Sequence, residues 1–307
     1  MTLANPRPMT TVFCIGIAVQ DHIYRIERLP LGAGKSRASD FAVVGGGLAA
    51  NAAVAIARLG GKVRFATRLG DDQIGTSILD ELISEGLDVT PSVRIKGKRS
   101  PISAVLIDET GERGLVNFAD RDLPDCLEAL PMSLPANVDA VLGDSRWPEG
   151  SIRMLGLARA AGKPAILDID RAEGPLERLV AASTHAAYAA KAAREHAGKP
   201  DLAEALLTLQ RQFRNTRILA TDGAAGSFFV EAGRVHHQPA FSVDVVDTNG
   251  AGDVWHGAFA LRLAENALLI DAIRFATVAA ALKCTRFGGR RGTPARTDVE
   301  ARLKDWT

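Results

Sequence analysis

A chain of 307 residues, 47% hydrophobic and 24% charged, can bury a large core as one α/β domain with an appendage, and its composition is that of a globular protein rather than a disordered or membrane-spanning one. With 37 basic against 36 acidic side chains the net charge is +1, which gives no electrostatic reason for a nucleic-acid or membrane partner. Cys14, Cys126 and Cys284 are too far apart for a zinc site or a disulfide framework, and Met1 to Thr10 holds no apolar targeting run, so a cytoplasmic protein is expected.

Thr11 to Val19 is a nearly continuous apolar run of strand length, as in a parallel strand covered on both faces. It ends at Gln20-Asp21. Open parallel sheets bind ligands at the carboxyl ends of their strands, which makes Asp21 a candidate contact. Residues 22 to 44 break the βα rhythm, with short strands at Ile23–Ile26 and Phe41–Val44 around a turn region at Pro30 to Gly34. Val93 to Phe118 behaves likewise, alternating through Ile102, Ala104 and Leu106 and again through Leu115, Val116 and Phe118, about a hairpin turn at Glu109 to Glu112. The two stretches are expected to form a small sheet together. Residues 22–44 and 93–118 would then be one unit, and residues 1–21, 45–92 and 119–307 the core.

Gly45-Gly46-Gly47 opens an alanine-rich helix that runs to Leu59 and stops at Gly60 and Gly61. Gly45-x-Gly47-x-x-Ala50 fits the dinucleotide-binding fingerprint, but the next strand, Val63 to Thr67, ends in Arg68 where that fingerprint requires an acidic residue. Only a 2′-phosphorylated dinucleotide would suit it. From Asp72 onward helices and strands alternate, with strands near Ala140–Leu142, Ala165–Leu167 and Ile218–Ala220 and a weaker segment at His185–Ala190; this predicts an α/β doubly wound sheet flanked by helices. His236-His237 has no third ligand nearby and reads as solvated, His256 reads as core packing, and Arg286 to Gly292 reads as a basic, solvated loop.

Phe241, Val243, Val245 and Val246 alternate with Ser242 and Asp244 as in a half-buried strand, and Val254 to Leu263 carry apolar residues at helical spacing. Between them stands Asp247-Thr248-Asn249-Gly250-Ala251-Gly252-Asp253. Glycines at a helix N-terminus let a phosphate oxygen approach unpaired backbone N–H groups at the positive end of the macrodipole. Gly250, Ala251 and Gly252 are therefore a candidate anion hole. Asp253 beside it would be repelled by phosphate unless it takes a proton from an attacking hydroxyl; the alternative role of such an aspartate is a helix cap.

The heptad closely resembles the C-terminal motif of the ribokinase-like (PfkB) carbohydrate kinases, Asp-Thr-x-Gly-Ala-Gly-Asp, with Asn249 at the variable position. Gly46-Gly47-x-x-x-Asn51, with Arg68-Leu69-Gly70-Asp71-Asp72 and Gly75, resembles their N-terminal motif, and Thr221-x-Gly223-x-x-Gly226 their nucleotide turn. The resemblance covers essentially the whole chain. It implies a ribokinase-like fold whose small sheet is a lid and dimer clasp, with ATP and Mg2+ as cofactors and a monovalent cation at the carbonyls of the 286–292 loop. It further implies Asp253 as base, Asp21, Gly46, Gly47 and Asn51 on the sugar, and Thr221, Gly223 and Gly226 on the nucleotide. The family's Asn-x-x-Glu, which helps organise magnesium, is missing between Tyr188 and Glu195, so the metal's protein ligands stay unknown. A sensor without turnover is the alternative this opens, and the intact Asp253 argues against it.

In finer detail, Gly16-x-x-Val19-x-Asp21-x-Ile23-Tyr24, Ser145-Arg146-Trp147 and His185-Ala186-Ala187 resemble the 6-deoxy-6-sulfofructose kinases. Lys35, Asn117 and Arg146 match the positions that bind the sulfonate there. That implies an acceptor with an anionic end, sulfofructose phosphorylated at O1; a phosphorylated sugar fits the same logic, and a neutral-sugar kinase of the fructokinase or ribokinase type is the alternative.

Overall fold

The computed structural model describes residues 9–306 except 31, 33, 111 and 121. The chain opens with β1 (Thr11–Ile15), β2 (Val19–Ile26), β3 (Ala38–Gly46), α1 (Leu48–Arg58), β4 (Lys62–Ala66), β5 (Arg68–Gly70) and α2 (Gln73–Ser84). Next come β6 (Val93–Ile95), β7 (Ile102–Ile107), β8 (Arg113–Phe118), β9 (Ala140–Asp144), α3 (Pro148–Ala160) and β10 (Ala165–Ile169). They are followed by α4 (Leu176–Ala182), β11 (His185–Ala189), α5 (Ala190–Ala197), α6 (Leu202–Gln212), β12 (Arg217–Thr221), β13 (Ser227–Glu231) and β14 (Arg234–Gln238). The chain closes with α7 (Ala251–Ala264), α8 (Leu269–Cys284) and α9 (Arg296–Asp305).

Strands β1, β9 and β10 are buried at every residue, the signature of parallel strands covered on both faces. They stand inside an eight-stranded sheet ordered β14-β13-β12-β11-β10-β9-β1-β4, in which β13 runs antiparallel to both its neighbours and the other strands are parallel. The chain winds from β1 outward to β4 and returns to β9 on the other side of β1, so the strand order reverses between β1 and β9. Such a reversal opens a crevice at the strands' carboxyl ends. Asp144 sits in it, fully buried, accepting the N–H groups of Ile17 (2.9 Å), Ala49 (3.2 Å) and Arg146 (2.8 Å) and so tying β1, α1 and β9 together. A Cβ at Gly16 would collide with that carboxylate.

The two irregular stretches do form a sheet of their own, ordered β3-β2-β7-β8, with β2 and β7 parallel and the outer pairs antiparallel. Val93–Ile95, expected with them, pair instead with Arg68–Gly70. Its cross-strand register puts Ile23, Ala42, Val44, Val105 and Ile107 into one small apolar cluster on one face. The other face leaves Phe41, Val43 and Val116 exposed. Among the described residues no helix is long and apolar enough to cross a membrane.

The strand expected at Phe241–Val246 is absent. After β14 the chain leaves the sheet, and Val245 and Val246 are 62% and 61% exposed. The alternation reflects a segment lying along the rim of a cleft, where Phe241 meets Trp306 edge-on and the N–H groups of Val246 and Asp247 both donate to Cys284 O. The glycine heptad therefore follows a loop.

Helix α7 lies against α1 so closely that a Cβ at Gly257 would run into the Ala52 carbonyl. Gly257→Val should lower the stability to unfolding by denaturant by about 1–3 kcal/mol, the usual cost of overpacking, and should lower kcat with it, because the same contact sets the distance from Asn51 to Asp253. Wild-type values for both in a folded variant would mean the helices can separate without consequence.

Candidate active site

Asp253 lies in the first turn of α7, which starts after Gly250 in the left-handed conformation (φ 78°). The N–H of Ala251 donates back to Thr248 O at 3.2 Å and closes the turn, so of the expected anion-hole amides Gly252 is the better placed. No atom stands within 4 Å of the point where a Gly252 side chain would project, which leaves that backbone open to a ligand. Asp253 Oδ2 accepts the Nδ2 of Asn51 at 2.7 Å. The other end of that amide, Asn51 Oδ1, is buried without a hydrogen-bond partner among the described residues. A buried carbonyl oxygen in that state is an acceptor for a hydroxyl.

Burial, and behind it the charge of Asp168, push the Asp253 carboxyl up to about 7, against the opposing effect of the Asn51 hydrogen bond. His256, one turn on, is buried too, with Nδ1 at 3.0 Å from Asp168 Oδ2. Burial works against charge on its ring, but Asp168 and Asp253 outweigh it and hold its pKa above the usual value. His256 is thus an electrostatic partner of the carboxylates and not simply core packing. Asp168 and Asp170 escaped the sequence reading; the signal available was an acidic residue at the carboxyl end of a parallel strand, the argument applied to Asp21.

Asp21 lies on β2 against Gly46, where any side chain would collide with its carboxylate. Gly47 (φ 95°) then turns the chain into α1 and leads to Asn51. Burial raises the Asp21 pKa, opposed by a hydrogen bond from Ser103 and by the charge of Arg290. The register places Asp21, Ser103 and Asn117 in line across one face of the small sheet. Asn117 and Lys35 are exposed. Arg146 does not point free into solvent: its NH2 holds both Asp170 oxygens at 2.7 and 2.6 Å.

The basic loop is anchored, correcting the solvated reading. Arg290 is 2% exposed, fills the space left by the missing Cβ of Gly45, and meets Glu81 at 2.8 Å. Arg58 NH1 donates to the carbonyls of Arg290 and Arg291 at 3.2 and 2.9 Å. A full-length guanidinium buried between glycines carries no sequence signal beyond Gly45 itself.

Beyond Gly252 opens a cleft of about 510 Å³, lined by Thr221, Gly223 and Gly226 on one side and Ala251, Gly252 and Trp255 on the other. Gly226 (φ 95°) packs against the Gln238 carbonyl where no side chain fits. Among the described residues no group of three or more His, Cys, Asp or Glu side chains is arranged to hold a metal ion.

An α/β sheet with a buried carboxylate at an open glycine turn, and a roomy cleft on the far side of that turn, has the parts that phosphate transfer from a nucleotide to a hydroxyl compound needs. The chain belongs to the pfkB family of carbohydrate kinases, whose family model matches residues 9–296. The ribokinase of Lactococcus lactis is 30% identical, with 97% of this chain and 98% of that protein covered. The fructokinase of Escherichia coli is 27% identical over 83% and 91% of the two chains. A crystal structure from Agrobacterium tumefaciens superposes with a TM-score of 0.88 at 38% identity, covering 97% of this chain and 99% of that one. The protein is a carbohydrate kinase with the ribokinase-like α/β fold.

Asp253→Asn should lower kcat by roughly 10²- to 10⁴-fold while leaving nucleotide affinity intact, as measured by steady-state kinetics and titration with ADP. A variant with near wild-type kcat would remove Asp253 from the proton transfer. Since the raised carboxyl must be ionised to accept a proton, wild-type kcat/KM should climb as pH rises through about 7 and level off above it. A profile flat from pH 5.5 to 8 would contradict the burial argument.

Proposed function

We propose that the protein transfers the γ-phosphoryl group of ATP to a primary hydroxyl of a ketohexose-like sugar, 6-deoxy-6-sulfofructose at O1. The observation that carries the phosphotransfer is the Asn51–Asp253 contact, with a buried acceptor on Asn51 left for a hydroxyl. The sugar oxygen attacks the γ-phosphorus and gives its proton to Asp253; the bond from that phosphorus to the β,γ-bridging oxygen breaks, and ADP leaves. The Gly250–Gly252 backbone meets the charge that develops, and no covalent intermediate on the protein is needed. The cleft at Thr221, Gly223 and Gly226 takes the nucleotide. Magnesium would be carried mainly by the nucleotide's phosphates and water, in keeping with that ion's reluctance to dehydrate, and no step is assigned to it.

The anionic end is supported by the common sheet face of Asp21 and Asn117, two strands or roughly 10 Å apart. Lys35, on the loop between β2 and β3, and Arg146, at the end of β9, supply the cations. Sulfonate stays ionised at physiological pH, and a site that strips its water must return charge-assisted hydrogen bonds. One observation favours a neutral sugar instead: Arg146 already has Asp170 as its counter-ion. The small sheet acts in this reading as a lid over the sugar, and its outer face, with Phe41 50% and Val116 70% exposed, as the contact with a second copy.

Lys35→Ala or Arg146→Ala should reduce kcat/KM for sulfofructose at least about tenfold and change that for fructose little, because each lost bond to a charged group is worth about 1.5–3 kcal/mol. Equal losses on both substrates, or a wild type that prefers fructose, would assign a neutral-sugar kinase. For the clasp, Val116→Lys should turn a dimer into a monomer in sedimentation analysis; a wild type already monomeric at micromolar concentration would refute it.

A further inference from the structure

Lys283, near the carboxyl end of α8, is 0% exposed. Its Nζ donates to the main-chain carbonyl of Asp247 at 2.6 Å and stands 3.3 Å from the Asp247 carboxylate. That same Oδ2 accepts the N–H groups of Gly288 (3.1 Å) and Gly289 (2.9 Å), while Oδ1 accepts that of Asn249 at 2.8 Å. Burial works against the charge of Asp247, yet these amides and Lys283 hold its pKa below the usual carboxylate value. One ammonium therefore sits where the first residue of the glycine heptad, the loop at Gly288–Gly289 and the end of α8 converge. Gly289 in turn approaches Asn249, whose Nδ2 lies 3.3 Å from where its Cβ would be.

We propose that Lys283 is a built-in monovalent cation and a positioning residue: its ammonium joins the glycine turn to the 288–289 loop, so that phosphotransfer needs no free K⁺ or NH₄⁺. A buried ammonium held by the carbonyl and carboxylate oxygens of Asp247 presents the same charge to them as a small dehydrated cation, and the two compete for one space. It is tethered, so its occupancy does not depend on the medium. The carbonyl and carboxylate oxygens of Asp247 already face this charge from within. Fixing Asp247 fixes the start of the turn whose amides meet the phosphate, which is a demand on kcat more than on sugar binding.

The inference rests on the phosphotransfer reading but on no particular sugar, so the assays use ATP with fructose and with 6-deoxy-6-sulfofructose, and an ADP titration that needs neither. At constant ionic strength, wild-type kcat and ADP affinity should agree within about twofold in potassium, ammonium and tetramethylammonium chloride. Lys283→Ala, which opens a space among oxygen acceptors, should lose at least roughly tenfold in kcat in tetramethylammonium chloride with a smaller change in sugar KM. Potassium or ammonium should restore most of that loss. Lys283→Met, which fills the space with an apolar chain, should lose as much and recover nothing. Wild-type activity that requires potassium would overturn the proposal even if neither variant folds. So would a folded Lys283→Ala that small cations do not rescue, or a Lys283→Met as active as wild type. Loss of turnover on both sugars with cation-independent ADP binding would count against the substrate reading alone.

Discussion

The contact on which the site depends is the one between α1 and α7. Gly257 meets the Ala52 carbonyl, and Asp253, one turn earlier on α7, then meets Asn51, the residue before Ala52. No side chain separates the two helices at this level. The 2.7 Å hydrogen bond that aims the carboxylate is therefore set by backbone packing, which changes in steps and not continuously. Because α1 starts directly from Gly46-Gly47 and α7 directly from Gly250, the two helices also carry these two glycine turns into register.

Around this contact the fold concentrates carboxylates. Asp144 is pushed up to about 6 and Asp253 to about 7, in both cases chiefly by burial. Three backbone amides and the reversal of strand order explain Asp144, and His256 stands against Asp168. Asn51, the partner of Asp253, keeps a buried oxygen without a hydrogen-bond partner among the described residues. A group raised by burial favours the protonated folded state, so ionising Asp253 lowers stability progressively as pH rises from the ordinary carboxylate range through about 7.

Much of the architecture was legible because its signals are local. Apolar runs gave the parallel strands, and the loss of βα rhythm at 22–44 and 93–118 gave the separate sheet. The heptad marked Asp253 as a candidate base, through the physics of a helix N-terminus together with the family motif it resembles. What failed depended on tertiary placement. Phe241 to Val246 alternates like a strand and pairs with nothing, because the alternation faces a cleft rim and not a sheet. Arg290 looks like a solvated cation in a basic loop and is buried, since its partner Glu81 lies far away in sequence; Lys283, which carried no signal, is buried against Asp247 for the same reason. Asp168 and Asp170 stand at the carboxyl end of a strand legible in the sequence, but that they meet His256 and Arg146 depends on tertiary placement.

The glycines of the site have a further consequence for how such a chain can change over generations. Gly16 makes room for Asp144, Gly45 for Arg290 and Gly46 for Asp21, each a hydrogen atom facing a charged side chain from another element. At none of these positions is a single step to alanine open, because a methyl group would displace a charge with no other place to stand. Drift there has to come as paired exchanges, a shorter side chain on one element first and a longer one on the other after it. Descendants of this chain would therefore inherit the glycine and its charged neighbour together, or lose both.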